Sequence, residues 1–260
     1  MFCALVLAGE RPGGNVLSRQ LKLSSSVLVD VAGQTALYRV IDALKAAKRV
    51  KHGVLCGPST EVFQLNNAIE EILSSSGYQW LSPESGLSAS AIKGLKKLRQ
   101  YPVLVTTGDH ALLTSELIDE FCGKCEAVAS DFVVGFVPHS LVKSAFPKSK
   151  RTVQKYADQP CCGTNLFSVM TPAGLRALEF WQSIEVQRKR PWKMAQKLGA
   201  GLLLRYLFGL LTLDEAFLKL SDRCGCKVSY VFMNDPSLAV DVDSLADRDL
   251  AEAILRSRRD

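Results

Sequence analysis

The chain lacks the patterns that announce the commoner functions. It contains no apolar run of the about 18 residues needed to cross a membrane. It opens directly on an apolar segment, without the charged, apolar and small-residue sections of a leader, so a cytoplasmic protein is expected. No basic stripe with interleaved aromatics runs along it, and a nucleic-acid partner is not expected. Neither G-x-G-x-x-G nor G-x-x-x-x-G-K-[ST] occurs, and no nucleophile, histidine and carboxylate are arranged as a recognisable triad. The 8 cysteines read as reduced thiols rather than as a disulfide scaffold. Cys122-x-x-Cys125 and Cys224-x-Cys226 have imperfect spacings for zinc and lie far apart in sequence, so a zinc site is set aside.

What is present fits an ordinary globular chain of 260 residues with 47% hydrophobic and 22% charged residues. That length suits one large domain, or one domain carrying an insertion. A net charge of +6 suits a protein that handles phosphorylated anions, and equally one with no special partner.

The chain is organised around its first residues. Phe2 to Leu7 is wholly apolar, the pattern of a strand buried on both faces of a parallel sheet. It breaks into Ala8-Gly9-Glu10-Arg11-Pro12-Gly13-Gly14-Asn15. Glycines let backbone N–H groups approach an anion closely, and Arg11 adds a fork of donors suited to phosphate oxygens. A plain strand-to-helix turn is the alternative reading of these glycines.

Beyond this loop, strand and helix alternate, as in a parallel α/β sheet. Strands are expected at 53–56, 78–81, 102–106, 127–137, 153–156, 163–169 and 228–233, and helices at about 37–47, 61–73 and up to Leu98. Residues 172–220 read as helical. Thr107-Gly108-Asp109 ends one of the buried strands, and a carboxylate there sits where open α/β sheets bind ligands. Thr114 is placed to cap the next helix. Ser244 and Asp247 form a capping-box-like start to the last helix, which leaves Asp241 without a structural explanation. Asp241 and Asp243 share one side of any extended segment.

Several phrases together resemble one family. Leu7 to Gly14 looks like the L-A-G-x-R-x-G-G loop of sugar-phosphate-type nucleotidyltransferases, the group that includes MobA-like NTP transferases. Pro83-Glu84-Ser85-Gly86-Leu87-Ser88-Ala89-Ser90 is similar to its G-x-S-x-S segment, and Gly108-Asp109-His110-Ala111-Leu112-Leu113 to its G-D-x-P-L-L phrase, with Ala111 for proline. Gly163-Thr164-Asn165-Leu166-Phe167 resembles a G-x-N-L-F segment, and Val240-Asp241-Val242-Asp243-Ser244-Leu245 resembles V-D-V-D-T-P.

The resemblance implies a three-layer, mostly parallel, Rossmann-like sheet of the GT-A-like kind, in one domain over 1–260, with a helical acceptor-side insertion at about 172–221. It implies transfer of an NMP from an NTP to a phosphorylated small molecule with release of pyrophosphate. Ala8, Gly9, Arg11, Gly13 and Gly14 would wrap the triphosphate, Gly86, Ser88 and Ser90 would meet base and sugar, and Asn165 the acceptor. Asp109 and Asp241, with Asp243 beside them, would hold Mg²⁺; Arg11, Asp109 and Asp241 would carry the catalysis.

One departure stands out. The family's phosphate-contacting lysine falls on Ser26 when the segment is aligned on Leu28 and Gly33, and Lys22 is the nearest cation that would replace it. Two rivals follow: a nucleotide-binding protein without turnover, and a related nucleotide-sugar glycosyltransferase, for which Asp241-Val242-Asp243 is formally D-x-D. Basic and aromatic residues from Trp181 to Lys193, followed by Leu202 to Phe208, raise peripheral membrane contact. The favoured alternative there is a helical cap with its leucines packed inward.

Overall fold

A computed structural model describes residues 1–10, 15–185 and 199–258. The strands are β1 (Phe2–Leu7), β2 (Asp30–Val31), β3 (Gln34–Thr35), β4 (Val50–Cys56), β5 (Gln79–Leu81), β6 (Val103–Thr107), β7 (Phe132–Pro138), β8 (Cys161–Val169) and β9 (Val228–Phe232). The helices are α1 (Val16–Gln20), α2 (Ala36–Ala46), α3 (Thr60–Leu65), α4 (Asn67–Ser76), α5 (Leu87–Leu98), α6 (Ser115–Ala127), α7 (His139–Ala145), α8 (Leu175–Glu185), α9 (Ala200–Leu207), α10 (Leu213–Cys224) and α11 (Leu245–Ser257).

Seven strands form one sheet in the order β5-β4-β1-β6-β8-β7-β9. Every pairing is parallel except those of β8, which runs antiparallel to both β6 and β7. β1 lies between β4 and β6, with Leu5 opposite Val54 on one side and Val105 on the other. Its six buried residues divide by the period of two. Phe2, Ala4 and Val6 pack with α2, α4 and α6, whereas Cys3, Leu5 and Leu7 pack with α5, α8 and α10. Burying each large aliphatic side chain contributes about 1.5–3 kcal/mol, so a strand apolar on both faces belongs in the middle of such a sheet. Close packing there depends on Gly94 in α5, where a Cβ would lie 2.4 Å from Leu5 Cδ1. The expected three-layer, mostly parallel α/β fold is the observed one.

Local departures have local causes. The helix expected at 61–73 divides at Asn66, whose amide donates 2.7 Å to the Val62 carbonyl and so competes with the helical ladder. The strand expected from Ala127 begins only at Phe132. Thr114 caps α6, and Leu117, Ile118, Phe121, Cys122 and Cys125 extend an apolar helical face as far as Ala127. Residues 153–156 contribute a single bridge, Gln154 to Cys161, rather than a strand.

All eight cysteines are buried. Cys122 and Cys125 lie under one face of the sheet and Cys224 and Cys226 under the other, so the sheet itself separates them. Among the described residues no helix is long and apolar enough to cross a membrane. The leucines after Gly199 do not all pack inward: Leu207 is 69% and Phe208 73% exposed, with Leu204 and Leu210 also exposed. α9 has only two turns, held by Tyr206 against Tyr156 and by the Arg205–Glu215 ion pair. Arg188, Lys189, Arg190, Trp192 and Lys193 lie outside the described residues.

Candidate functional site

The carboxyl ends of β1, β4, β5 and β6 are tied together by backbone bonds. Ala8 N–H donates to Cys56 O at 2.8 Å, Gly108 N–H to Leu7 O at 2.9 Å, and Gly57 N–H to Leu81 O at 2.9 Å. Gly57 has φ +101°, and a Cβ on it would fall 2.5 Å from the Ala8 carbonyl carbon. Only glycine therefore lets the end of β4 close on Ala8-Gly9.

Arg11, Gly13 and Gly14 lie outside the described residues, but both ends of their loop are fixed. On one side, a Glu10 carboxylate oxygen accepts the N–H of Ser26. On the other, Asn15 caps α1 and donates from Nδ2 to Asp243 Oδ1 at 3.3 Å. The chain after the loop thus resumes beside Asp243. Ser26, which the resemblance aligns with a lysine, is a buried hydroxyl in a tight 3-10 turn, while Lys22 is exposed.

Asp109 follows β6, and its backbone carbonyl accepts the N–H of Val242 at 3.2 Å. That bond joins two segments far apart in sequence. A third core cluster explains the approach: Val240 and Val242 are buried with Val29, Val31, Ala111, Leu112 and Ala251. Burial of these valines leaves Asp241 and Asp243 on the opposite side of the segment. Asp109 Oδ1 and the Thr107 hydroxyl are buried close to each other, and among the described residues neither makes a well-formed hydrogen bond to any other group. Burial, with Asp241 and Asp243 nearby, pushes the Asp109 carboxyl up to about 6. A buried carboxylate with so little hydrogen bonding is costly to keep and leaves acceptor capacity for a ligand.

Asp241 is held on both oxygens. Arg151 Nη1 donates to Oδ1 at 2.9 Å, and Asn165 Nδ2 to Oδ2 at 3.3 Å. Asn165 has φ +52°, a conformation asparagine tolerates, and this turns its amide toward Asp241. Among the described residues, no three His, Cys, Asp or Glu side chains form a ready metal cage. Asp109, Asp241 and Asp243 together are not such a cage. The set still fits Mg²⁺, which is usually held by one or two carboxylates together with substrate phosphates.

Across the site, Gly86 is the N-cap of α5. Ser88 donates its N–H to Glu185 Oε2 at 3.2 Å, and its hydroxyl meets the same oxygen. Ser90 is buried, and its hydroxyl accepts the Glu84 N–H at 2.9 Å, so this serine also braces the loop before α5. Sequence reasoning assigned no role to Arg151, Asn15, Glu10 or Glu185. Arg151 lies in the basic run Pro147-Lys148-Ser149-Lys150-Arg151-Thr152, whose pattern gives no sign that it turns inward to a carboxylate 90 residues away.

Comparisons with known proteins bear on the fold and the family. The structure is similar to a hypothetical transferase from Thermus thermophilus, at 26% identity and TM-score 0.77, covering 95% of this chain and 99% of that one. It shares its fold with 4-diphosphocytidyl-2C-methyl-D-erythritol synthase from Anaerococcus prevotii, at 15% identity and TM-score 0.59, covering 98% of each chain. A CMP:2-keto-3-deoxy-manno-octonic acid synthetase solved with CTP gives 11% identity and TM-score 0.61, covering 99% of this chain and 100% of that one. Comparison with curated proteins gives no significant match. The profile of the MobA-like NTP transferase domain matches residues 4–166, more than half of the sequence, and the chain belongs to that family.

Proposed function

We propose that this protein is a Mg²⁺-dependent nucleotidyltransferase, which moves an NMP from an NTP to a phosphorylated small-molecule acceptor and releases pyrophosphate. The observation that carries the reading is Asp109: a buried carboxylate at the end of a central strand, with no well-formed hydrogen bond on one oxygen among the described residues, joined through Val242 to the segment bearing Asp241. Asp109 and Asp241 would hold the metal, with Asp243 beside them. Bound Mg²⁺ offsets the negative charge of the phosphates.

The remaining work belongs to positioning and electrostatics, so no nucleophilic side chain is required. An acceptor phosphate oxygen forms the new bond to the α-phosphorus, and the bond from α-phosphorus to the bridging oxygen breaks to free pyrophosphate. Arg11 and the amides around Ala8, Gly9, Gly13 and Gly14 would hold the β- and γ-phosphates. Gly86, Ser88 and Ser90 would face base and sugar. Asn165 and the helices between β8 and β9 would form the acceptor side.

The test is a pyrophosphate-release screen of the four NTPs against sugar-, inositol- and alditol-phosphates. Turnover with one pair is expected, and it should vanish without divalent cation. Hydrolysis of nucleotide sugars instead would favour a glycosyltransferase.

A second reading is nucleotide binding without turnover. It is favoured by Ser26, which supplies no charge at the lysine position and whose N–H is engaged by Glu10. Tight NTP binding with no pyrophosphate from any acceptor would establish it. The exposed Leu204, Leu207, Phe208 and Leu210 favour peripheral membrane contact as an accessory property, which liposome flotation tests.

A further inference from the structure

Arg151 comes from the stretch between α7 and β8, yet its guanidinium lies against the segment before α11. Its side chain is only 8% exposed. All three of its nitrogens are engaged: Nη1 by Asp241 Oδ1 at 2.9 Å, Nη2 by Asp247 Oδ1, and Nε by Ser149 Oγ at 2.9 Å. Asp247 is itself fixed, because its other oxygen accepts the Ser244 hydroxyl at 2.6 Å in the cap of α11. A rigid chain therefore runs from the helix cap through Asp247 and Arg151 to Asp241. Asn165 closes it from β8 on the other carboxylate oxygen at 3.3 Å.

This arrangement exceeds what folding needs. Ser244 already caps α11 and already engages Asp247. Buried ion pairs add little net stability once desolvation is counted, so the pair is weakly explained as a fold device. The fork bridges two carboxylates, Nη1 on Asp241 and Nη2 on Asp247, and with Asn165 on the second Asp241 oxygen the carboxylate is held at both ends, which fixes its direction. A carboxylate accepts about four hydrogen bonds or ligands, so each Asp241 oxygen keeps free acceptor capacity after these contacts. Two carboxylates, a backbone carbonyl and a hydroxyl take up most of its donors, and the side chain is only 8% exposed, so Arg151 is not arranged to seize a phosphate itself.

We propose that Arg151 is a positioning residue, whose guanidinium, opposed by Asn165, fixes the Asp241 carboxylate in the orientation that receives a nucleotide-bound divalent cation. This rests on Asp109 and Asp241 being the metal-holding pair of the proposed function. Partners that orient a ligating group typically change metal affinity by about ten- to a hundredfold when removed.

The experiment measures Mn²⁺ affinity by electron paramagnetic resonance in the presence of each of the four NTPs. It compares the parent, Arg151→Lys, Arg151→Gln, Asp241→Asn and the Arg151→Lys/Asp241→Asn double variant, with melting temperature followed in parallel. Arg151→Lys keeps the charge and loses the fork, so it guards against a loss of folding in Arg151→Gln. Arg151→Lys is expected to stay folded and to weaken NTP-dependent Mn²⁺ binding about tenfold or more. In the Asp241→Asn background the same change should have almost no further effect, because Arg151 acts through Asp241. If folded Arg151→Lys binds Mn²⁺ as the parent does while Asp241→Asn does not, the proposal is overturned and the site assignment stands. If the Arg151→Lys effect persists undiminished in the double variant, Arg151 touches the ligand directly and positioning is refuted. If Asp241→Asn binds as the parent does, or no NTP brings Mn²⁺ to the parent, the underlying assignment falls and the proposal with it.

Discussion

Ser88 presents its N–H, at 3.2 Å, and its hydroxyl to one oxygen of Glu185. Glu185 ends α8 and Ser88 lies in the first turn of α5, so a carboxylate rests at the positive end of a 12-residue helix. In the proposed function the same serine faces the nucleotide's base and sugar. The two roles compete for one set of donors.

Glu185→Ala should therefore tighten NTP binding by about 1–2 kcal/mol, the scale of a charge-assisted hydrogen bond no longer to be broken. Isothermal titration calorimetry with the four NTPs measures it. Weaker binding in the variant would show instead that Glu185 helps to hold the nucleotide.

Asp109 and His110 should oppose each other in the pH dependence of stability. Burial lifts Asp109 from 3.8 to about 6, so between those values the folded chain holds more protons than the unfolded chain, and stability from this group falls as pH rises. Burial lowers His110 from 6.5 to about 4, against the pull of Asp241, so its contribution rises with pH across that window. Each amplitude is on the order of 3 kcal/mol. Asp109→Asn should raise stability at neutral pH by up to that amount and steepen the rise of stability between about pH 4 and pH 6.5. Denaturant unfolding at several pH values is the check; an unchanged profile would show that Asp109 is not a buried, titrating carboxyl. The same variant should lose Mg²⁺-dependent NTP binding.

Arg11 should serve phosphate contact and not the fold. Arg11→Ala is expected to leave the melting temperature nearly unchanged and to weaken NTP binding by about 1–3 kcal/mol. A large loss of stability with unchanged affinity would reverse that assignment.

Ser26→Lys tests whether the site lacks a phosphate-contacting cation. A positive charge there stabilises the negative charge moving onto pyrophosphate, a contribution that grows toward the transition state. The variant should raise the rate of pyrophosphate release with little change in NTP affinity. If exposed Lys22 already supplies the charge, Ser26→Lys gains nothing and Lys22→Ala abolishes turnover. No effect from either change sinks the phosphate-lysine argument.

The sequence by itself determined that a mostly parallel α/β sheet forms and that its first strand lies in the interior. Phe2 to Leu7 could only be a central strand, because six apolar residues on both faces need cover on both sides. Thr114 and Ser244 were legible as caps because a cap depends on donors two or three residues away. Asp109 was legible for a similar reason: its place at a strand end follows from the apolar run before it. Tertiary structure alone decided what lies across the chain from these groups. Arg151 and Asp241 are separated by 90 residues, Asn15 and Asp243 by 228, and Ser88 and Glu185 by 97. No periodicity links such pairs. Their meeting is set by the crossovers of the sheet and by the buried valines that draw the Asp241 segment against Asp109. Side-chain direction within a polar loop is likewise settled by the partner it finds, which is why Arg151 read as one basic residue among several until the fold turned it inward.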